Sequence, residues 1–370
     1  MIFGFELTVF CYALLAAVFG LLRRRSPTLA LQTLVVANLA LLYVANPVLL
    51  AYLAFQVLLV GLLYAFITSK PGQRSRRWAW LAFLGLLPVN FVEWTGGTAN
   101  APWLADWQHV SMDGVFWSLG ATFFVIKSFV ILREALSGQR KLLLPAAAAL
   151  TFLPAFSAGP IHGSKVWAPE NLVREIGTRV WVLSFLRIGW GAAAFYVLAP
   201  RVKRLGALAT GYPFGRLADV YLSFVSLYLD FSGYTAMALA IAALFGATLP
   251  ENFNRPYLAT SMREFWRRWH ISLSEFIGQY LFQPLVRRTG SKWLGITLAF
   301  LFTGLWHELS WRYLLWGTAH GLAMSLSAYR WPLWERWSAR IAPNVLAFAG
   351  WAATMTTVAT ISYLVQHART

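Results

Sequence analysis

Trp293-Leu-Gly-Ile-Thr-Leu-Ala-Phe-Leu-Phe-Thr-Gly-Leu-Trp306 runs for fourteen residues without a charge and stops at His307. By length alone such a run fits a buried helix as well as a membrane crossing, so the composition of the whole chain has to decide. Hydrophobic residues make up 58% of the 370, charged residues only 12%, 19 residues are tryptophan, and mean hydropathy is +0.57. That is more apolar surface than one soluble core can hide, and the chain reads as an all-α integral membrane protein. An imidazole at membrane depth is costly unless it has a partner or a task, which makes His307 a functional-site candidate. A second informative histidine lies 37 positions earlier, in Glu264-Phe-Trp-Arg-Arg-Trp-His270-Ile-Ser-Leu-Ser274. At about 1.5 Å per residue, His307 stands roughly 20 Å above the start of its helix. His270, among arginines and tryptophans, belongs near the cytoplasmic face, and two histidines at different depths suggest an aqueous path.

Working outward, the basic residues set the expected topology. Ile2 to Leu22 has no basic residue before it and Arg23, Arg24 and Arg25 after it, so it reads as a first helix with its N-terminus outside, not as a cleaved leader. Leu29 to Ile67 is too long for one crossing at about 20 residues, and Asn46-Pro47 splits it into a hairpin. Lys70, Arg74, Arg76 and Arg77 then mark the cytoplasmic side. The stretch to Lys127, with Glu93, Gly96, Gly97, Asp106 and Asp113 and no Lys or Arg, reads as an outer loop. Val115 to Leu132, Leu142 to Pro160 and Val180 to Leu198 continue the alternation, although Lys165, Arg174 and Arg179 fall in a loop assigned outside. Lys127 and Arg187 lie inside these spans and must face the protein interior or an internal cavity.

Leu217 to Leu249 poses a conflict, because Arg204 and Arg216 on one side and Arg255, Arg263, Arg267 and Arg268 on the other call for the same face. A break at Asp230-Phe-Ser-Gly233, giving two half-depth helices, resolves it. Arg263 to Arg288 is too polar to span. Phe265, Trp269, Ser272, Phe276 and Tyr280 fall near one helical face, as in an interfacial or re-entrant helix. Trp311 to Ser327 and Asn344 to Gln366 complete about 10–11 crossings by the length rule. They form a single polytopic domain over residues 1–370: N-terminal helices 1–204, a motif-bearing core 205–328 and a C-terminal helix 329–370.

Five motifs between Tyr228 and Gly321 carry a resemblance. They are Asp230-Phe-Ser-Gly-Tyr234, Leu249-Pro-Glu-Asn-Phe-Asn-Arg-Pro256, the Glu264 to Ser274 string, Gly304-Leu-Trp-His307 and Leu315-Trp-Gly-Thr-Ala-His-Gly321. In order and spacing they resemble the membrane-bound O-acyltransferase family, closest to the bacterial branch that includes alginate O-acetylation and teichoic-acid D-alanylation proteins. Phe152-Leu-Pro154 and Ala158-Gly-Pro-Ile161 resemble the same branch. The resemblance implies a ring of transmembrane helices around a thin core, with a funnel or tunnel to a central histidine. It also implies movement of an acyl group from a thioester to a hydroxyl. On it, His307 corresponds to the catalytic histidine and His270 to the second motif histidine. Glu308 and Pro284-Leu-Val-Arg287 depart from the branch pattern, which has Gly after the histidine and often Pro-Leu-Gly-Gly.

The chemistry stands beside that resemblance. A hydroxyl is a weak nucleophile at neutral pH, and an imidazole near its free affinity for protons can take the hydroxyl proton as the oxygen attacks a thioester carbonyl. His307 is the candidate base, the plain alternative being a core histidine bonded to a helix carbonyl. His270 either positions donor or acceptor or sits in an interfacial anchor. The candidate substrate-binding residues are Trp266, Arg267, Arg268, Asn254, Arg255 and Asp230. The arginines suit the phosphates of coenzyme A or of a carrier's phosphopantetheine, and Asp230 either accepts a hydrogen bond from a catalytic group or caps a half-helix. His320 reads as packing or lining a tunnel, and His109, His162 and His367 as solvated.

Other classes fit less well. The net charge of +17 sits between apolar spans, where it serves topology and anionic headgroups, so nucleic acid is not a partner. His307-Glu308 starts like a zinc-protease motif, but position 311 is Trp, and one cysteine, Cys11, gives neither a disulfide nor a thiolate site. A transporter would show paired broken helices in two related halves, and a scaffold would not bury histidines. The expected co-substrate is acetyl-coenzyme A or an acyl-phosphopantetheine thioester, with no permanently bound cofactor. The acyl group would cross a bacterial cytoplasmic (inner) membrane toward a cell-surface polysaccharide. Expected partners are membrane lipid, a separate periplasmic or extracellular acyltransferase or acceptor protein, and an acyl carrier protein if the group is D-alanyl.

Overall fold

The computed structural model describes residues 5–45, 57–65, 114–136, 143–156, 158–172, 175–307, 310–328 and 343–367, with positions 50 and 54. The Asn46-Pro47 turn, the basic stretch from Lys70 to Arg77, the outer loop with Glu93, Asp106, His109 and Asp113, and Glu308 lie outside them. The described residues are helical apart from short turns and one isolated bridge. Four helices among them are long and apolar enough to cross a membrane: Pro27–Val44, Thr178–Ala209, Gly215–Leu244 and Val345–Leu364. The chain forms two compact units, Met1–Gly189 with Thr235–Pro250 and Trp190–Tyr234 with Glu251–Thr370.

The first unit holds α1 (Phe5–Arg25), α2 (Pro27–Ala45), α3 (Gly114–Leu136) and α4 (Leu143–Thr151). A buried amide ties three of its segments together. Asn38 takes Tyr12 Oη at 2.6 Å and Leu153 N at 3.3 Å on Oδ1 and gives Nδ2 to Leu34 O. Phe152, Trp167 and Phe245 close an aromatic core around it, with the Phe152 and Trp167 rings 4.8 Å apart. The stretch expected to cross from Leu142 to Pro160 does not. Its helix stops at Thr151, about 14 Å long at 1.5 Å per residue, and continues as a 3-10 turn and a packed loop. Lys127 faces inward as required, 1% exposed, with its ammonium on Ala155 O. His162 is not solvated: it is 4% exposed, with Nδ1 2.8 Å from Pro160 O. Since that carbonyl can only accept, Nδ1 carries the hydrogen.

Continuing along the chain, α5 (Thr178–Ala192) runs through a π turn at Ala193–Leu198 into α6 (Ala199–Ala209), and α7 (Gly215–Leu244) follows. The break expected at Asp230–Gly233 is absent, because α7 is one helix of 30 residues. Gly233 serves packing instead. A Cβ there would lie 2.7 Å from Gly191 O and 2.9 Å from Phe195 N, so only glycine lets α7 approach the π turn. One glycine costs a helix about 1 kcal/mol. Freeing several backbone groups at membrane depth would cost more.

The second unit then builds the motif region from short pieces: α8 (Met262–Arg268), α9 (Ile271–Ile277), a π turn at Gly278–Phe282 and α10 (Gln283–Thr289). The helix face drawn from Phe265 to Tyr280 is therefore interrupted at Trp269-His270. A hairpin of α11 (Lys292–His307) and α12 (Trp311–Ala328) follows, then α13 (Pro343–His367). Glycines bring the hairpin together, since a Cβ on Gly317 would lie 2.5 Å from Phe300 O and one on Gly304 would strike Tyr313 O. α13 is tied to the 3-10 turn at Pro256–Leu258 through Trp351 Nε1, which donates to Tyr257 O at 2.7 Å.

Candidate active site

A short antiparallel pairing creates the turn that carries His270. Phe253 bridges Trp269, Asn254 N donates to Arg268 O at 2.9 Å, and Ile271 N donates to Asn252 O at 3.0 Å. Clamped on both sides, His270 takes φ 43° and ψ 56°, a left-handed conformation uncommon outside glycine that ends α8 and starts α9. The Asn252 side chain reinforces the clamp. Its Oδ1 accepts from Ser272 Oγ at 2.6 Å and Ser272 N at 3.3 Å, and the residue is fully buried. The start of α8 is capped reciprocally. Ser261 Oγ accepts from Glu264 N at 3.2 Å, while the Glu264 carboxylate accepts from Thr260 N at 2.9 Å and Thr260 Oγ1 at 3.0 Å.

Three histidines share one aromatic setting. His270 is 3% exposed and meets the Phe231 ring edge to face, 4.8 Å between centroids. His307, the last residue of α11, is half-buried against Trp306, Tyr313 and Trp316, with centroids at 4.8, 5.6 and 5.5 Å. His320 is 1% exposed and packs on Trp316 at 4.4 Å and Trp266 at 5.3 Å. Its Nδ1 lies 3.1 Å from Trp316 O, so that nitrogen carries the hydrogen and Nε2 is left as the acceptor. His307 interacts electrostatically with both His270 and His320. The two depths drawn from the sequence for His270 and His307 thus merge into one cluster, because the segment before His270 folds back on itself.

A cavity of about 650 Å³ adjoins this cluster. Arg263, Arg267 and Lys292 supply its charges, Ile277, Phe282, Ile296 and Phe300 its apolar walls, and Trp266 stands both in its wall and against His320. The sequence candidates separate here. Arg267 and Trp266 line the cavity. Arg268 does not: its Nη2 binds Glu264 Oε1 at 2.6 Å and its Nη1 reaches Asn254 O at 3.4 Å, a structural role. Asn254 and Arg255 are exposed, Asn254 contributing backbone to the pairing and Arg255 starting a 3-10 turn at φ 48°. Asp230 is exposed on α7, and since that helix is unbroken there it caps no half-helix. Sequence reasoning gave no site role to Asn252, Ser272, Tyr313 and Trp316. All but Tyr313 lay within quoted motifs, but only the fold-back shows why the first two flank His270. Among the described residues no group of three or more His, Cys, Asp and Glu side chains could hold a metal.

An all-α membrane chain with a buried histidine cluster beside a cavity edged by cations is the class of protein that this geometry defines. Residues 184–365 match the membrane-bound O-acyltransferase family, so the chain carries that family's domain across all three histidines and the cavity. The chain is 28% identical over 259 residues to the teichoic acid D-alanyltransferase of Bacillus subtilis, covering 60% of this chain and 64% of that one. It is 34% identical over 192 residues to the peptidoglycan O-acetyltransferase of Helicobacter pylori, covering 48% and 36%. To the probable alginate O-acetylase AlgI of Azotobacter vinelandii it is 30% identical over 227 residues, covering 56% and 44%. The chain thus spans between about a third and just under two thirds of the length of these relatives.

Proposed function

We propose that this protein is an O-acyltransferase that takes an acyl group, acetyl from acetyl-coenzyme A, from a cytoplasmic thioester and passes it across the bacterial inner membrane to a hydroxyl acceptor. The modified product is a cell-surface polysaccharide. The observation that carries the reading is His307 in an aromatic setting shared with His270 and His320, next to a cavity whose cations are Arg263, Arg267 and Lys292. His307 acts as general base. The acceptor hydroxyl gives its proton to the imidazole as its oxygen bonds to the acyl carbon, and the carbonyl electron pair moves onto oxygen. When the pair returns, the C–S bond breaks, and the leaving thiolate takes the proton from the imidazolium. The apolar cavity walls suit a pantetheine arm, and Arg263, Arg267 and Lys292 suit the phosphates that follow it. A separate outer-face acyltransferase or acceptor protein completes the delivery.

A second reading has its own support. The D-alanyltransferase relative shares the longest of the three aligned stretches, 259 residues. In that reading the group is D-alanyl, carried on the phosphopantetheine of an acidic carrier protein that the basic face attracts, and the acceptor is a teichoic acid-like polymer. Purified protein in detergent, given radiolabelled acetyl-coenzyme A or a charged carrier together with a hydroxylated oligosaccharide, tests both. Thiol release and label transfer from one donor only names the donor. His307→Ala should abolish transfer while the protein still unfolds cooperatively, and a fully active His307→Ala would remove the base assignment.

A further inference from the structure

Asn252 holds a hydrogen-bond donor that the fold does not use. Its side chain is 0% exposed, Oδ1 takes both bonds from Ser272, and Nδ2 is buried without a partner among the described residues. The assignment of oxygen and nitrogen is forced, because Ser272 N can only donate and so must face Oδ1. With Oδ1 pinned at two points the amide cannot turn, and Nδ2 has a fixed direction. Buried polar groups are nearly always satisfied, and an orphan next to a reactive cluster calls for an explanation. Asn252 stands at that cluster: its own carbonyl holds Ile271 N and its side chain holds Ser272, the two residues that follow His270.

We infer that Asn252 Nδ2 donates to the carbonyl oxygen of the acyl thioester and stabilises the negative charge that builds there as the hydroxyl attacks. This rests on the acyl-transfer reading and adds what that reading lacks. Proton removal by His307 prepares the nucleophile, but the oxygen of the tetrahedral intermediate also needs a fixed donor in a water-poor site. A neutral amide suits this role better than one of the cavity arginines. It discriminates little between the ground-state carbonyl and bulk water, and its bond strengthens only as charge develops. Ser272 is then a positioning residue, acting through the amide it orients.

The test uses the full-length protein in detergent with acetyl-coenzyme A as donor, a hydroxylated oligosaccharide as acceptor and thiol release as readout. Asn252→Asp keeps an acceptor for Ser272 and removes the donor. It should lower kcat about 100- to 1000-fold with the donor KM within about threefold of wild type, the split expected of an interaction made in the transition state. Ser272→Ala keeps the donor and removes the shorter of the two bonds that fix Oδ1, leaving only the backbone one at 3.3 Å, and should lower kcat by about tenfold, a misplacement short of removing the group. If Asn252→Asp fails to fold, as read from its thermal unfolding, Ser272→Ala and a ¹³C-carbonyl ketone analogue of acetyl-coenzyme A carry the test. The infrared stretch of the bound analogue should rise from wild type to Ser272→Ala as the hydrogen bond weakens. Wild-type kcat in either folded variant, or an unchanged stretch, overturns the inference and leaves acyl transfer standing. Absence of thiol release from the wild type itself would instead overturn the acyl-transfer reading, and this inference with it.

Discussion

The imidazole of His307 lies nearly face to face with the ring of Tyr313, 5.6 Å between centroids and 27° between planes. One residue closes α11 and the other stands in the first turn of α12, so the hairpin itself sets the orientation of the proposed base. Trp316, one turn further along α12, meets His307 edge to face at 78° and leans on His320 with its other side. The base is thus held by packing on a neighbouring helix, and its aim depends on how closely the two helices approach.

Trp316→Leu keeps an apolar side chain and removes the ring that separates His307 from His320. With the imidazole free to swing, kcat should fall by about 10- to 100-fold, the scale that a misplacement of about 1 Å can cost. Steady-state kinetics with acetyl-coenzyme A measure this, and a variant within twofold of wild type would show that the ring has no orienting role.

Gly317→Ala tests the hairpin directly. The added methyl would sit 2.5 Å from Phe300 O and 3.1 Å from Leu301 Cα, and both contacts are backbone, which cannot rotate away. Overpacking of this kind costs about 1–3 kcal/mol. Thermal unfolding in detergent should move down accordingly, whereas Gly278→Ala, at a helical position where a Cβ meets nothing within 4 Å, should leave it unchanged or raise it slightly.

Much of this was legible in the chain, and the exceptions share a cause. The ends of α11 and α12 follow from hydrophobic runs bounded by Lys292, His307 and Trp311, and lipid leaves such a run little choice but helix. The unbroken α7 was missed because Gly233 is the residue a break needs and also the residue a close approach needs, and composition does not distinguish these. The clustering of His270 with His307 was missed because periodicity assumes that a segment continues. Here the chain turns at His270, held by a pairing with residues 252–254 that is non-local in sequence. The arginines were legible as a cationic face but not in their division of labour, since only the Glu264 carboxylate decides which of two neighbours is engaged.

That carboxylate also gives α8 a pH dependence. Its hydrogen bond from the Thr260 backbone, then those from the Thr260 hydroxyl and Arg268, hold Glu264 below the ordinary carboxylate value of 4.5 despite some desolvation. A group lowered on folding stabilises the folded state fully above its unfolded value and loses that contribution as pH falls through the folded one. Unfolding temperature should therefore drop as pH is taken from 6 to below about 4.5. Glu264→Gln should be less stable than wild type at pH 7, with the gap closing at the acid end of that range. Parallel pH curves for the two proteins would remove Glu264 as the cause.

Neighbouring arginines on one short helix should give opposite phenotypes. Arg267 is exposed and lines the cavity, whereas Arg268 is bonded to Glu264 and to Asn254 O. Arg267→Ala and Lys292→Ala should each raise the KM for acetyl-coenzyme A about two- to fivefold, the value of an exposed charge pair of up to about 1 kcal/mol. The effect should shrink in added salt, because screening weakens the wild-type attraction first. Arg268→Ala should leave KM alone and lower the unfolding temperature by about 1–3 °C. Kinetics at low and high ionic strength, paired with thermal unfolding of the same samples, separate the two roles. If Arg268→Ala raises KM as much as Arg267→Ala does, the donor phosphates reach both side chains and the ion pair with Glu264 opens when the thioester binds.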